Sequence, residues 1–565
     1  MSLPLLAVSF LVLLVAAYRL YGGWVARQFA LDDARQTPAN VVNDGVDFVP
    51  TRPFYLFAQH FSAIAAAGPI AGPILAAQAF GWLPCLLWIG LGVVLIGAVH
   101  DFSSLAASVR HGARSMAEIT REHLGPRAGI AMMAFIWIAL VYVIVAFTDI
   151  TAGTFVGGTE ELRGAAGFNA GGAVAAASVM YLLLSIALGL VQRYLKPPLW
   201  LVTVTFVPAT FGLAWLGTKI STLLLLGHVS WGLLILVYCC LASLVPVWAL
   251  LQPRGYLGGF VLYSALALGV VGILFGGYQI QQPAFKAWDV GGMTGMLFPF
   301  LFVTIACGAC SGFHGLVCSG TTAKQVDRES HIKAVGYGAM LAEGFVALIA
   351  LVTVMIAAPE ALKGRAPGTI YGNGIGQFMT LLIGPENLAF AITFGAMAFS
   401  TFVFDTLDVC TRLGRYIVQE LLSWRGLWGA VTGTLVTMAP PFYFITFAKK
   451  GMWSEFWTLF GASNQLLAAL SLLAITVWLY QARQRIAFTL VPMLFVLVIT
   501  LWALVTLAIG NFRASAGFDI KLVNAVSSAA LVMLALYLAV TALVKLRGER
   551  GRRRRDAGAL VPEGA

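Results

Sequence analysis

His60-Phe-Ser-Ala-Ile-Ala-Ala-Ala-Gly68-Pro69-Ile-Ala-Gly72-Pro73 is an apolar run that cannot form one continuous helix. Each proline removes an amide donor and pushes its ring against the carbonyl four residues back. Two Gly-Pro pairs four residues apart predict a break, with Pro73 suited to open the second half. Inside hydrocarbon, backbone groups freed in this way are tolerated only where they face protein or a watery cavity. A second stretch, Ala306-Cys307-Gly308-Ala309-Cys310-Ser311-Gly312-Phe313-His314-Gly315-Leu316-Val317-Cys318-Ser319-Gly320-Thr321-Thr322, is equally rich in small residues and also carries a histidine. Small residues can serve close helix packing alone. For the glycines alone the two readings stand even; the two Gly-Pro pairs with His60 favour interruption over packing.

Both stretches sit in a chain of 565 residues that is 60% hydrophobic and 10% charged, where a soluble chain carries about 25% charged residues. That composition excludes a cytosolic enzyme, a disordered or fibrous chain and a disulfide scaffold, and predicts an all-α polytopic membrane protein. With about 20 apolar residues needed per crossing, the chain holds fifteen candidate spans, from 3–22 to 523–546. The interrupted ones are the second (54–79) and the ninth (295–319), and Thr369–Leu382 reads as a short interfacial or re-entrant helix. Met1–Tyr21 lacks a basic start and a small-residue cleavage site, so it reads as a retained first span. All seven cysteines fall in apolar segments.

The net charge of +11 is a topology signal here, and no nucleic-acid partner is expected. With the N-terminus outside, 26 of the 35 Lys and Arg fall in inner loops, including Arg254, Arg412, Arg415, Arg425 and seven in the tail Lys545–Arg555. The nine outer ones are Arg163, Lys219, Lys286, Lys363, Arg365, Lys449, Lys450, Arg513 and Lys521, and no basic residue is left at mid-membrane. The expected topology is N-out, C-in. The second and ninth spans then run in opposite directions, the arrangement of an inverted-repeat transporter with its site at the breaks.

Lys never follows Gly in this chain, so a P-loop is absent and uphill movement would need an ion gradient. Acids within spans are costly and usually functional. Asp405 and Asp408 lie mid-way along the eleventh span on one helical face, with Arg412 one turn beyond Asp408. One arrangement pairs Asp408 with Arg412 and leaves Asp405 to titrate. Glu343 lies inside the tenth span, whereas Asp101 and Asp149 are nearer span ends, where a solvated or capping carboxylate is the blander reading. His60 and His314 are candidates for titration or anion binding, against satisfied packing histidines. Asn464 and Gln465 either bind substrate or glue helices together. Cys307, Cys310, His314 and Cys318 share one helical stripe, but a straight stripe does not wrap a tetrahedral ion, and neither a metal nor a cofactor is expected. Ser311 and His314, three apart, give a weaker rival reading as an intramembrane hydrolase, with no zinc HExxH motif and no obvious acid beside them. A passive channel or a nutrient sensor is the other rival.

The motifs Tyr18-Arg-Leu-Tyr-Gly22, Asn43-Asp-Gly-Val-Asp-Phe-Val-Pro-Thr51, His60 to Pro73, Gly97-Ala-Val-His-Asp101, Pro246-Val-Trp-Ala-Leu-Leu-Gln-Pro-Arg254, Phe298-Pro-Phe-Leu-Phe through Ser319-Gly-Thr-Thr322, and Leu459-Phe-Gly-Ala-Ser-Asn-Gln465 run from the first span to the thirteenth. With them the chain resembles the carbon starvation protein A family of bacterial inner-membrane transporters. Cys310 and Cys318 depart from the family pattern, in which apolar or serine residues are common at those places. The resemblance implies a LeuT-like fold of the amino acid–polyamine–organocation superfamily: five-plus-five inverted repeats, two discontinuous helices and extra helices. It divides the chain into a transporter core (1–387), membrane helices completing the bundle (388–546) and a basic cytoplasmic tail (547–565). It implies a secondary active transporter, not an enzyme, that imports pyruvate or short peptides during carbon starvation by symport with H⁺, Na⁺ being the alternative. Substrate would sit at the two breaks, among His60, Gly68, Pro69, Gly72, Pro73, Ser311, Gly312, His314, Thr321, Thr322, Asn464 and Gln465. Asp405, Asp408, Glu343 and Asp101 are the ion-coupling candidates.

Overall fold

The computed structural model describes residues 2–45, 47–157, 168–424, 426–447 and 453–558. Arg163, Arg425, Lys449 and Lys450, all used in the charge argument, lie outside the described residues, as do residues 559–565. Among those described, the chain is helical throughout, with two isolated β-bridges and no strand. Among the described residues, twelve helices, from Leu3–Gln28 to Ile520–Arg550, are long and apolar enough to cross a membrane. One further pair of helices is bent by 45° at a short break, and His228–Leu244 is a shorter apolar helix.

Eleven helices build the site: α1 (Pro53–Ile64), α2 (Gly68–Phe80), α3 (Ala98–Arg110), α4 (Met116–Leu124), α5 (His228–Leu244), α6 (Leu251–Phe275), α7 (Leu297–Thr304), α8 (Gly312–Gly320), α9 (Ala339–Met355), α10 (Leu388–Leu421) and α11 (Trp453–Gln481). The pairs α1/α2 and α7/α8 are the two interrupted spans. The first break falls at Ala65–Ala67, and Pro69 stands in the opening turn of α2 while Pro73 lies inside it. This corrects the expectation that Pro73 opens the second half. Pro69 collides with the carbonyl of residue 65 if the helix continues, whereas in a first turn its missing amide costs nothing.

The two interrupted spans pack antiparallel. Thr51, just before α1, forms a bridge with Val326, just after α8. At the other end the Lys286 amide, ahead of α7, donates to the Phe80 carbonyl that ends α2 (3.1 Å). The breaks themselves cross. Gly68 lies against Cys307, Gly72 against the Thr304 carbonyl, and Gly308 against Pro69, with no room for a Cβ at Gly68 or Gly72. The glycines in both stretches therefore do allow close packing, and what they pack is one break on the other.

The segment read as a short interfacial or re-entrant piece is a 17-residue helix, Pro367–Ile383, laid along α10. Its glycines recur every fourth residue on the side facing α10. Gly368 faces Phe399, Gly372 faces Ala396 and Gly376 faces Ile392, the small-residue spacing that brings helix backbones close.

At one end of the bundle, Glu329 ties three connections together. It accepts from Arg110 Nε and Nη2 (3.0 Å each), from the Asp32 amide (2.9 Å) and from Arg35 Nη1 (3.4 Å). Burial alone would raise the Glu329 carboxyl, but these donors and the two arginine charges outweigh it and hold it below its ordinary value. A carboxyl lowered on folding adds stability above its unfolded value, near pH 4.3, and that contribution fades as pH falls through the folded value. Glu329→Gln is expected to lower the melting temperature at pH 7, by the equivalent of about 1.5–3 kcal/mol for a charged hydrogen-bond network. The gap to wild type should narrow below about pH 4; a gap unchanged down to pH 3 would show that charge is not its origin.

Candidate functional site

Where the interrupted spans cross, the freed backbone groups have partners, as groups with no water to turn to require. Gln465 Nε2 donates to the Phe302 carbonyl (2.9 Å), Trp457 Nε1 to Thr304 (3.0 Å) and Trp88 Nε1 to Ile305 (3.1 Å). On the far side of the break the Phe313 amide, in the first turn of α8, donates to Asn464 Oδ1 (2.8 Å). Asn464 Nδ2 also reaches Ser311 Oγ (3.1 Å) and Cys307 Sγ (3.2 Å). Of the two readings of Asn464 and Gln465, gluing is what their hydrogen bonds do: α11 splints the broken helix and caps its second half from outside.

Beside the crossing lies a buried cluster of histidines and acids. Asp101 on α3 accepts from two rings: His100 Nδ1 is 2.7 Å from Oδ1 and His314 Nδ1 is 2.8 Å from Oδ2. The other nitrogen of His314, Nε2, is 3.2 Å from Glu343 Oε2 on α9. His60 Nδ1 is 2.8 Å from Thr322 Oγ1, and the Cys318 thiol donates to the Asp101 carbonyl at 3.5 Å. His60, His100, Asp101, His314 and Glu343 are all at most 1% exposed, so solvent neutralises none of them. Gly315 leaves the space that the His100 ring fills. Among the described residues, no hydroxyl or backbone amide reaches either Glu343 oxygen.

These positions correct the blander reading of Asp101. It is neither solvated nor a cap, because α3 is preceded directly by a π-helical turn, Val93–Gly97, and the whole segment is sunk in the bundle. Among the described residues, no Ser311–His314 contact supports a hydrolase: both His314 nitrogens face carboxylates and Ser311 is held by Asn464. The cysteine stripe is cut by the break at 305–311. His314 with Asp101 and Glu343 makes one imidazole between two acids. With both acids ionised, His100 neutral and the His314 ring doubly protonated, the group carries one surplus negative charge, and a buried unpaired charge is costly.

A second buried cluster lies where α5, α6 and α10 meet. Arg254, with no exposed surface, places Nε 2.8 Å from Asp405 Oδ1 and Nη1 2.7 Å from Asp408 Oδ2. Tyr238 Oη accepts from Arg254 Nη1 (2.6 Å) and donates to Asp408 (2.9 Å), and Tyr181 donates to the Arg254 carbonyl (2.9 Å). Two expectations fail here. Arg254 is not in an inner loop, because α6 begins at Leu251, earlier than the apolar run suggested. Asp408 is paired with Arg254 and not with Arg412, so Asp405 is not left alone. Arg412 instead donates to the Ala242 and Val245 carbonyls (2.8 Å each), and Arg415 donates to Ser243, closing the C-terminal end of α5. Helix α6 lies between the clusters, with Gly258 facing Asp405 and Gly259 facing Ser62, two residues from His60. Asp149 pairs with His228 (3.3 Å).

Of the predicted substrate residues, Gly68, Pro69 and Gly72 form the crossing, His60, His314 and Thr322 line the acid–histidine cluster, and Ser311 and Gly312 abut Asn464. Thr321 bonds back into its own helix and Pro73 lies within α2. Sequence reading missed His100, Arg254, Tyr238, Trp88 and Trp457. Two of them, His100 and Arg254, stand inside the quoted motifs, where a buried charge or ring was the available signal.

A family model described as carbon starvation protein CstA matches residues 1–368 and 359–503. The peptide transporter CstA of Campylobacter jejuni is 34% identical over 582 residues, covering 88% of this chain and 80% of that protein. The pyruvate/proton symporter BtsT of Escherichia coli K12 is 31% identical, covering 87% of this chain and 79% of its own length. The peptide transporter CstA of Bacillus subtilis is 30% identical, covering 96% and 97%. Among solved structures, a manganese transporter of Eremococcus coleocola superposes with a TM-score of 0.44 at 15% identity, over 87% of this chain and 95% of that one.

Proposed function

The chain belongs to the carbon starvation protein CstA family, and on that premise we propose that it is a secondary active transporter importing pyruvate or short peptides by proton symport. It is a multi-pass membrane protein; we place it in the bacterial inner membrane with the N-terminus outside and the C-terminus in the cytoplasm. The observation that carries the reading is His314 held between Asp101 and Glu343, fully buried, beside the crossing of two interrupted helices.

In this reading the substrate carboxylate meets the opening turn of α2, where the half-helix dipole favours an anion, although Pro69 has no amide and those of Ile70 and Ala71 donate to the Ala67 carbonyl. The corresponding amide of α8 at Phe313 is already taken by Asn464. The surplus negative charge of the Asp101–His314–Glu343 group is the place for the travelling proton. Glu343, with no hydroxyl or amide donor among the described residues, is the carrier, while Asp101 holds the ring in position. Asp405 and Asp408 together outweigh Arg254 by one charge, so the second cluster, across α6, is the alternative place for the proton, with Asp405 its carrier.

Uptake into proteoliposomes tests the reading. Labelled substrate should accumulate against its gradient and a protonophore should collapse it, whereas a channel only equilibrates, a sensor does not accumulate and a hydrolase releases product without a gradient. The two substrates separate electrically. A zwitterionic peptide moving with one proton carries one net charge, worth about 2.3 kcal/mol per 100 mV, or roughly fifty-fold accumulation. Pyruvate moving with one proton is neutral and responds to the pH difference alone. Accumulation driven by a Na⁺ gradient at equal pH would overturn proton coupling.

A further inference from the structure

At the end of α3, outside both clusters, three ligand-type side chains converge. His111, Glu122 and His123 each offer one donor atom, and these atoms lie within 4.8 Å of one another. The two Nε2 atoms face each other at 2.8 Å. The opposite nitrogens are committed: His111 Nδ1 donates to the Ala107 carbonyl (2.6 Å), and His123 Nδ1 donates to Gln481 Oε1 at the end of α11 (2.7 Å). A neutral imidazole with its Nδ1 proton so engaged presents a lone pair at Nε2, and this outer hydrogen bond is the orienting contact of metal-binding histidines. Two such lone pairs pointed at each other need a cation between them.

We propose that His111, Glu122 and His123 form a binding site for a divalent transition-metal cation, with zinc the best fit. Two imidazoles and a carboxylate with an open fourth position match its ligand preference. At zinc–nitrogen bonds of about 2.0–2.1 Å the two nitrogens of a tetrahedral site stand roughly 3.3 Å apart, so the rings need to part by only about half an ångström. His111 ends α3, its ring packs edge-on against Trp478, and both histidine rings are half-buried. Burial favours the neutral, ligating form of His123, lowering it below the ordinary histidine value. Glu122 is exposed and presently paired with Arg114 (2.6 Å), so the ion displaces a surface ion pair of small worth. The metal would pin the end of α3, which carries Asp101, to α4 and, through Gln481, to α11.

Tag-free, chelator-treated full-length protein in detergent, titrated with Zn²⁺ alone by calorimetry, tests this site. One Zn²⁺ per chain is expected, and Co²⁺ should give the visible absorption of a tetrahedral nitrogen–oxygen site. His111→Gln and His123→Gln should each abolish the Co²⁺ band, and Gln481→Ala, which touches no metal, should weaken binding by about 10–100-fold. Melting temperature without metal reports that each variant folds. Absence of stoichiometric Zn²⁺ uptake, or uptake that folded His111→Gln and His123→Gln variants share with wild type, overturns the proposal and leaves the pair as two rings sharing a proton.

Discussion

Glu343→Gln is expected to abolish uphill accumulation in proteoliposomes while preserving exchange of labelled for unlabelled substrate. The expected loss is the whole concentration ratio that one proton can drive, roughly tenfold per pH unit and, for a charge-carrying cycle, roughly fifty-fold per 100 mV. Glutamine keeps the shape of the glutamate and its place against His314 Nε2 but cannot take up or release a proton. The Asp101–His314 pair then balances its own charge and has no surplus to titrate. Exchange needs only the alternation of the loaded protein, so it also serves as the control for folding. A Gln variant that still concentrates substrate would move the coupling site elsewhere, with Asp405 the next carboxyl to replace.

Arg254→Met should be the most destabilising single change in the bundle. Removing one member of a buried charge group costs about 3–5 kcal/mol, because the remaining charges lose their compensation. Here two carboxylates, Asp405 and Asp408, depend on one guanidinium, with Tyr238 bridging. The measurement is the melting temperature and the monodisperse fraction after detergent extraction. Adding Asp405→Asn and Asp408→Asn to Arg254→Met should recover much of the loss, since neutral amides need no counter-charge. An Arg254→Met protein that melts like wild type would show that the cluster is solvated and that the charge argument fails. Arg412→Ala is the contrast, since its hydrogen bonds go to the carbonyls at the end of α5 and not to Asp408.

The sequence determined the class of molecule and the two places where it is interrupted. Composition alone decides that this chain lives in a bilayer, because so much apolar surface has nowhere else to go. The Gly-Pro pairs locate the first break to within a few residues, because a proline ring acts on the backbone beside it. The error at Pro73 is local too: either proline could open a helix, and only the start of α2 at Gly68 shows which one did. The partner of each buried charge, by contrast, was beyond a local reading. Helical spacing suggested Arg412 for Asp408 because those residues share a face; tertiary structure brought in Arg254, far off in the chain, by starting α6 about two turns earlier. The same holds for His314 between Asp101 and Glu343, and for Asn464, Gln465, Trp88 and Trp457 at the break. Local rules act over one or two turns of chain, whereas the charge and hydrogen-bond balance of a buried site is struck between separate helices.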